Sequence, residues 1–170
     1  FYGQMDKTIA ILQKLQDAGI TAIWRPFHEG AGNSYAKTYT GTAWFWWGED
    51  GADTYKALWK AMFAYFQEKG IHNLIWEWTA QNYNGDSNSY DNDNAFYPGD
   101  KYVDLVGRDL YGNTASQNKT EFTQLTSQYS NKMTALSECG VSKTTSFANI
   151  SDLWNGGAKW LYFMPWYGEN

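Results

Sequence analysis

The feature that most restricts the fold of this chain is a regular alternation between two apolar patterns. Stretches with apolar residues at helical spacing, such as Met5, Ile9 and Leu12, alternate with short runs of β-branched and aromatic residues typical of buried strands. The predicted strands cover residues 21–24, 73–78, 102–110, 133–136 and 160–164, and the predicted helices lie before Gly19 and at 55–66, 121–132 and 147–154. Such an alternation produces parallel βαβ units, so the sequence predicts an α/β fold.

A barrel fits this alternation better than an open sheet does. Open sheets that bind dinucleotides have a glycine-rich turn after the first strand, and the sequence contains no G-x-G-x-x-G motif. A complete eight-stranded barrel needs about 250 residues, whereas this chain has 170. The sequence therefore predicts one domain over residues 1–170 that holds five strands of an incomplete (β/α)8 TIM barrel.

The composition limits the partners that such a domain can bind. Aromatic residues make up 19% of the chain, with 10 Trp and 13 Tyr, which is more than a core of this size needs. The surplus indicates flat surfaces for a ligand, and the apolar C–H faces of sugar rings match such surfaces. The net charge is -5 and Lys and Arg form no cluster, so nucleic acid and anionic membranes are poor partners.

Two glutamates lie just beyond predicted strands. Glu29 follows the strand at 21–24, after Arg25 and Pro26, and Glu138 follows the strand at 133–136. They are 109 positions apart, close to the roughly 95 positions that three βα units of a barrel span. The C-terminal ends of barrel strands share one rim, so we expect the two carboxylates to face each other there.

A pair of facing carboxylates beside aromatic surfaces is the equipment for cutting a glycosidic bond. One carboxyl protonates the leaving oxygen, and the other attacks the anomeric carbon or activates water. The acid needs a raised pKa, whereas the second carboxylate needs hydrogen-bond donors that keep it ionised. Arg25 is a donor of this kind near the predicted rim.

Four short motifs give the chain a resemblance to a known family. They are RPFHE at 25–29, WFWWG at 44–48, DLY at 109–111 and SE at 137–138. In this order and at this spacing they resemble glycoside hydrolase family 26, whose best-known members are endo-β-1,4-mannanases. The resemblance covers nearly the whole chain and implies a retaining (β/α)8 barrel, with the acid/base at the end of strand four and the nucleophile at the end of strand seven.

The resemblance also implies a role for each matching residue. Glu29 corresponds to the acid/base and Glu138 to the nucleophile, which a retaining enzyme holds about 5 to 5.5 Å apart. The predicted substrate-binding residues are Arg25, His28, Trp44, Asp109, Tyr111 and Trp166. Neither a cofactor nor a metal is expected.

The sequence departs from the family pattern in two places. The segment between Glu29 and Trp44 is longer than the family's link, and the first three strands have no counterpart. The chain is therefore expected to be the C-terminal portion of a longer barrel, about strands four to eight. The absent N-terminal part of the same barrel is then a predicted partner.

Other polar groups have simpler interpretations. Glu77, predicted at a strand end, is interpreted as a supporting or substrate-binding carboxylate, and His72 as a surface or packing residue. Cys139 is interpreted as a small packing residue. The segment at 84–100 carries four aspartates without EF-hand spacing, which indicates a solvated loop rather than a calcium site. These aspartates are Asp86, Asp91, Asp93 and Asp100.

Two alternatives to a mannanase remain at this point. A β-glucanase or xylanase of the same fold would use the same two glutamates with different hydroxyl contacts. A non-catalytic carbohydrate-binding module would share the aromatic surfaces but would not need the two glutamates. No signal peptide or membrane span is present in the sequence, yet a polymeric substrate argues for secretion.

Overall fold

The structure is a computed structural model that describes residues 1–32, 43–81, 94–141 and 147–166. Its helices are α1 (Tyr2–Asp17), α2 (Trp46–Glu49), α3 (Gly51–Glu68), α4 (Ala115–Gln128) and α5 (Ile150–Asn155). Its strands are β1 (Ala22–Trp24), β2 (Leu74–Gln81), β3 (Leu105–Tyr111), β4 (Met133–Gly140) and β5 (Phe163–Pro165). The predicted alternation of strands and helices is confirmed in these residues.

The five strands form one sheet in the order β1-β2-β3-β4-β5, and every neighbouring pair is parallel. Ala22 of β1 lies opposite Leu74 of β2, while Leu105 of β3 lies opposite Glu77 on one side and Met133 on the other. Parallel strands in chain order each need a crossover, which helices supply in a barrel. This is the arrangement that the predicted five-strand portion of a barrel requires.

The two faces of the sheet differ in polarity. One face packs against the helices, and its buried apolar residues belong to a single core that includes Trp59 and Phe66 of α3 and Leu125 of α4. The strand residues in this core are Trp76, Trp78, Ala80, Val106, Leu110, Leu136 and Cys139. Side chains alternate across a strand, so the intervening residues face the barrel interior. They include Glu77, Thr79, Gly107, Asp109 and Tyr111.

Several element boundaries differ from the predicted ones. The segment Asp100–Tyr102 is a 3-10 turn, so β3 begins only at Leu105. Helix α4 begins well before residue 121, because the Thr114 and Gln117 side chains each bond to the other's backbone N–H in a capping box. Strand β4 continues beyond residue 136 to Gly140, which places Glu138 within the strand rather than after it.

The interpretations of other polar residues have different outcomes. His72 is exposed, as predicted. Asp86, Asp91 and Asp93 lie outside the described residues, while Asp100 accepts hydrogen bonds from Tyr97 and Asn131. Glu77 does not lie at a strand end: it is inside β2, with 0% of its surface exposed. None of the described helices has the length and apolarity that a bilayer crossing requires.

Candidate active site

The loop that follows β1 carries Glu29 in a strained backbone conformation. Buried Pro26 ends the strand region, and Phe27 and Glu29 then adopt left-handed φ values of 50° and 52°. This conformation costs a residue other than glycine roughly 1–2 kcal/mol. The turn is closed by a hydrogen bond from the Gly32 N–H to the Glu29 carbonyl at 2.8 Å.

Two aromatic side chains hold this loop in place. The Tyr55 hydroxyl of α3 donates to the Phe27 carbonyl at 2.9 Å, and the Trp47 Nε1–H of α2 donates to the His28 carbonyl at 2.8 Å. Both carbonyls lie directly before Glu29 in the chain. Trp47 of α2 and Tyr55 of α3 therefore fix the backbone from which the Glu29 side chain projects.

Three carboxylates meet at the C-terminal ends of β1, β3 and β4. One oxygen atom from each of Glu29, Asp109 and Glu138 lies within 4.8 Å of the other two. Asp109 is 3% exposed and Glu138 is 6% exposed, so water screens their charges poorly. The Arg25 guanidinium forms ion pairs with Asp109 and Glu138 and so places a positive charge against two of the three carboxylates.

Arg25 and Tyr111 donate to the two oxygen atoms of Glu138. Arg25 Nη2 contacts Glu138 Oε1, and the Tyr111 hydroxyl donates to Oε2 at 2.6 Å. Arg25 Nη1 also reaches Asp109 Oδ2 at 3.3 Å and Thr79 Oγ1 at 3.1 Å. Burial and the bond to Glu138 raise the pKa of Tyr111, so its hydroxyl remains a donor. Both oxygen atoms of Glu138 are therefore held by donors from other parts of the barrel.

Glu29 lies in a different electrostatic environment. Burial raises the pKa of its carboxyl, and the nearby Glu138 charge acts in the same direction. Burial also raises the pKa of Asp109, which shares a side-chain hydrogen bond with Glu29. In this bond the Asp109 carboxyl faces Glu29 as the donor, which raises the pKa of Asp109 and lowers that of Glu29, although burial still leaves the Glu29 pKa raised. Burial and the Arg25 charge lower the pKa of His28, which favours its neutral form.

A β-bulge determines the direction in which the Glu138 side chain points. Leu136 pairs with Arg108, whereas Glu138 pairs with Asp109, so Ser137 is an extra residue in β4. Leu136 and Cys139 both pack in the core on the helix side, and the two residues between them face the interior. Without the extra residue, Glu138 and Ser137 would face opposite sides of the sheet.

Comparisons with known proteins assign the chain to a family. The model of Glycosyl hydrolase family 26 matches residues 1–170. The chain belongs to this family. The five strands are accordingly a portion of the family's α/β barrel, and the predicted fold class is confirmed.

Two solved structures are similar to this chain. The chain is 61% identical to the family 26 domain of an endo-β-mannanase/endo-β-glucanase from Prevotella bryantii, with a TM-score of 0.94 over 99% of this chain and 51% of that one. A β-mannanase from a symbiotic protist of the termite Reticulitermes speratus, solved with a gluco-manno-oligosaccharide, is 37% identical, with a TM-score of 0.70 over 96% of this chain and 44% of that one.

A curated sequence is also similar to this chain. The mannan endo-1,4-beta-mannosidase of Thermothelomyces thermophilus is 31% identical over 164 residues, which are 95% of this chain and 29% of the relative. The chain therefore spans from 29% to 51% of the length of these three relatives.

Six of the eight predicted site residues of this family 26 chain lie together, five of them around the sixth, Glu138. Arg25, Asp109 and Tyr111 contact it or its partners directly, as described above, and Glu29 completes the cluster of carboxylates. His28 is half-buried beside them, with its ring 4.7 Å from the Phe45 ring. The remaining two, Trp44 and Trp166, lie farther out.

Both outer tryptophans offer exposed indole surface next to the cluster. Trp44 is 47% exposed, and its backbone N–H bonds to the carbonyl of Gly32 at the end of the Glu29 turn. Trp166 is 54% exposed, and its N–H bonds to the carbonyl of Cys139, the residue after Glu138. Two exposed rings near one rim are suitable for stacking on sugar units.

Sequence reasoning missed the groups that support the cluster. Thr79 contacts Arg25, Tyr55 and Trp47 hold the Glu29 loop, and Ser137 and Tyr162 bond to Glu77. For Thr79 a signal was present, because period-two alternation along β2 places it on the face of Glu77. Bonds from the aromatic side chains to loop carbonyls leave no such periodic pattern.

Proposed function

We propose that the protein is a retaining endo-β-1,4-mannanase in which Glu29 is the acid/base and Glu138 the nucleophile. The observation that carries this proposal is the proximity of the two carboxylates, with oxygen atoms within 4.8 Å of each other. Inverting glycosidases hold their carboxyl groups roughly 6.5–9.5 Å apart to admit a water molecule. The shorter separation favours direct attack by one carboxylate.

The contrasting environments of the two glutamates support a division of labour. Glu138 receives donors on both oxygen atoms and attacks the anomeric carbon as a carboxylate. Glu29, with its raised pKa, gives its proton to the glycosidic oxygen as the C–O bond breaks. In the second step Glu29 accepts a proton from water, which attacks the anomeric carbon and releases Glu138.

The other site residues act through contact and charge. Arg25 and Tyr111 hold the two oxygen atoms of Glu138 in place, and Asp109 hydrogen-bonds to Glu29. His28 borders the cluster as a neutral hydrogen-bonding group. Trp44 and Trp166 are sugar-stacking surfaces near the cluster of carboxylates.

The activities for which the relatives are named support mannan as the substrate. The Thermothelomyces protein is a mannan endo-1,4-beta-mannosidase, and the termite protist enzyme was solved with a gluco-manno-oligosaccharide. A neutral polysaccharide is also compatible with the net charge of -5. Because a polymeric mannan is too large to enter a cell, we include secretion of the enzyme in the proposal.

The domain proposal concerns the two outer strands of the sheet. Within the described residues, β1 and β5 each pair with one strand only. Beside β5 lies an apolar cavity of about 310 Å³ lined by residues of α5, of the segment 158–162 and of the start of β5, and Leu161 and Phe163 are about half exposed there. Exposed strand edges are prone to pairing. We propose that further strands of the same barrel cover these edges and that residues 1–170 are one part of a single catalytic domain.

One assay tests both proposals. Reducing-end release is measured from mannan, lichenan and xylan, first with the 170-residue chain and then with the chain joined to the remaining barrel strands. We expect release from mannan by the joined form only. Release by the 170-residue chain would contradict the domain proposal, and no release from any polymer by either form would contradict the enzymatic function. The form that releases reducing ends is called the active form below.

The raised pKa of Glu29 predicts how the rate of mannan cleavage depends on pH. The proton on Glu29 is needed for leaving-group departure, so kcat/KM on mannan should fall as the pH rises through this pKa. Since burial raises it, the fall should lie above the ordinary glutamate value of about 4.3. The measurement is a pH–rate profile of the active form. An unchanged basic limb in Glu29→Gln would contradict the assignment of this limb to Glu29.

A further inference from the structure

A buried carboxylate that the proposed mechanism does not use lies beneath the active site. Glu77 of β2 is 0% exposed and faces the barrel interior, two residues before Thr79, which contacts Arg25. Its Oε1 accepts a hydrogen bond from Ser137 Oγ, and its Oε2 accepts one from the Tyr162 hydroxyl. Glu77 thus connects β2 to β4 and to the residue just before β5.

The neighbouring strand leaves space for these contacts. Gly107 of β3 lies between Glu77 and Ser137, and a Cβ atom at this position would collide with Ser137 Oγ and Glu77 Oε1. Any larger residue would therefore push the two side chains apart. The polar cluster of Glu77, Ser137 and Tyr162 occupies a gap that three strands and one glycine create together.

The cluster acts on the extra residue of the β4 bulge. Ser137 is the residue inserted between the pairs Leu136–Arg108 and Glu138–Asp109. Its hydroxyl is held by a carboxylate on another strand, and the next residue is Glu138. A bulge without such an anchor can relax to regular pairing, which turns the following side chain to the other face of the sheet.

We propose that Glu77 is a positioning residue that holds the Ser137 bulge and thereby directs the Glu138 carboxylate toward Arg25 and Tyr111. Its importance for catalysis rests on the proposed function of Glu138 as nucleophile. Glu77 touches neither the sugar nor the reacting atoms. It acts through the Ser137 backbone, whose position determines the direction of the Glu138 side chain.

Paired substitutions separate positioning from general stability. Glu77→Leu keeps the side-chain size but removes both hydrogen bonds, whereas Glu77→Gln keeps them, because a hydroxyl can accept from the amide as well as donate to its oxygen. We expect Glu77→Leu to lower kcat of the active form on the order of 10²-fold, as a displacement of about 1 Å does, with little change in KM. Glu77→Gln should restore most of this loss.

A matched control lies on the opposite face of the sheet. Glu121 of α4 forms an ion pair with Arg108 of β3 at 3.5 Å, so Glu121→Leu also removes a largely buried carboxylate that bonds to another element. We expect Glu121→Leu to lower the urea midpoint of unfolding without lowering kcat of the folded enzyme. Equal losses of kcat in Glu121→Leu and Glu77→Leu would overturn the positioning role.

Crystal structures of the variants test the inference without reference to activity. In Glu77→Leu we expect the β3–β4 register to change at Ser137 and the contact between Arg25 and Glu138 to be lost. An unchanged bulge with Glu138 in place would overturn the inference. If the bulge changes but the wild-type protein cuts no polysaccharide, positioning stands and the nucleophilic function fails. Should Glu77→Leu not fold, Ser137→Ala removes one bond of the cluster and should produce the same displacement.

Discussion

Glu138→Ala is expected to lower kcat on mannan roughly 10⁴-fold or more, the size of loss that follows removal of a nucleophile or its activating base. The substitution removes the atom that forms the covalent bond to the anomeric carbon. The tryptophans that would stack on the sugar remain, so mannan oligosaccharides should still bind. Turnover is measured by reducing-end release from the active form, and binding by isothermal titration calorimetry.

Adding azide to Glu138→Ala tests whether the lost carboxylate is the nucleophile. Glu138→Ala leaves space beside the anomeric carbon, where azide can attack a β-mannoside that has a good leaving group. Attack from the side of the lost carboxylate gives an α-mannosyl azide, because the aryl oxygen leaves from the opposite face. Formation of the β-azide would instead show that residue 138 acts as the acid/base, and kcat within tenfold of wild type would exclude it from the chemistry altogether.

The barrel portion could be predicted because the two apolar periods differ clearly. The runs at 21–24 and 73–78 are short and rich in β-branched and aromatic residues, whereas the apolar residues of α3 recur at helical spacing. The ends of the helices and strands could not be predicted from these periods, because they depend on single contacts. Helix α4 begins at Ala115 because of a reciprocal pair of hydrogen bonds between Thr114 and Gln117, and its first turn contains no apolar stripe that would reveal this start.

The position of the active site could be predicted better than its geometry. Glu29 and Glu138 were recognisable from their places after two predicted strands, and Asp109 and Tyr111 from their alternation with Leu110. Period-two alternation fails at the bulge, where one inserted residue places Ser137 and Glu138 on the same face. The predicted position of Glu77 was wrong because β2 continues to Gln81, so Glu77 lies inside the strand and not at the C-terminal end where the rim of the barrel is.

Contacts from the surrounding helices and strands hold the backbone at both proposed catalytic glutamates. The left-handed conformations of Phe27 and Glu29 are held by side chains of α2 and α3, while the bulge before Glu138 is held by Glu77. Both carboxylates are thus fixed by contacts outside the active site. We therefore infer that the scaffold itself maintains their short separation, which the proposed retaining reaction requires.

Glu29→Ala is expected to affect substrates according to their leaving groups. A mannan chain leaves as an alcohol of high pKa and needs a proton, so kcat/KM on mannan should fall by roughly 10²- to 10⁴-fold. An aryl mannoside with an acidic phenol needs little protonation to depart, and its bond to the sugar should be cut at close to the wild-type rate. Pre-steady-state release of the phenol measures this step in the active form.

The second step of the reaction distinguishes Glu29 from Asp109, the carboxyl to which it is hydrogen-bonded. Without a base to activate water, the covalent intermediate on Glu138 should accumulate in Glu29→Ala, giving a burst of phenol followed by slow turnover. Azide needs no base, so it should accelerate the slow phase and yield the β-mannosyl azide, opposite in configuration to the product of Glu138→Ala. Asp109→Asn is the matched control, since it keeps the carboxyl of Glu29 and should give neither the burst nor the azide product. Equal losses on mannan and on the aryl mannoside in Glu29→Ala would contradict the acid/base assignment.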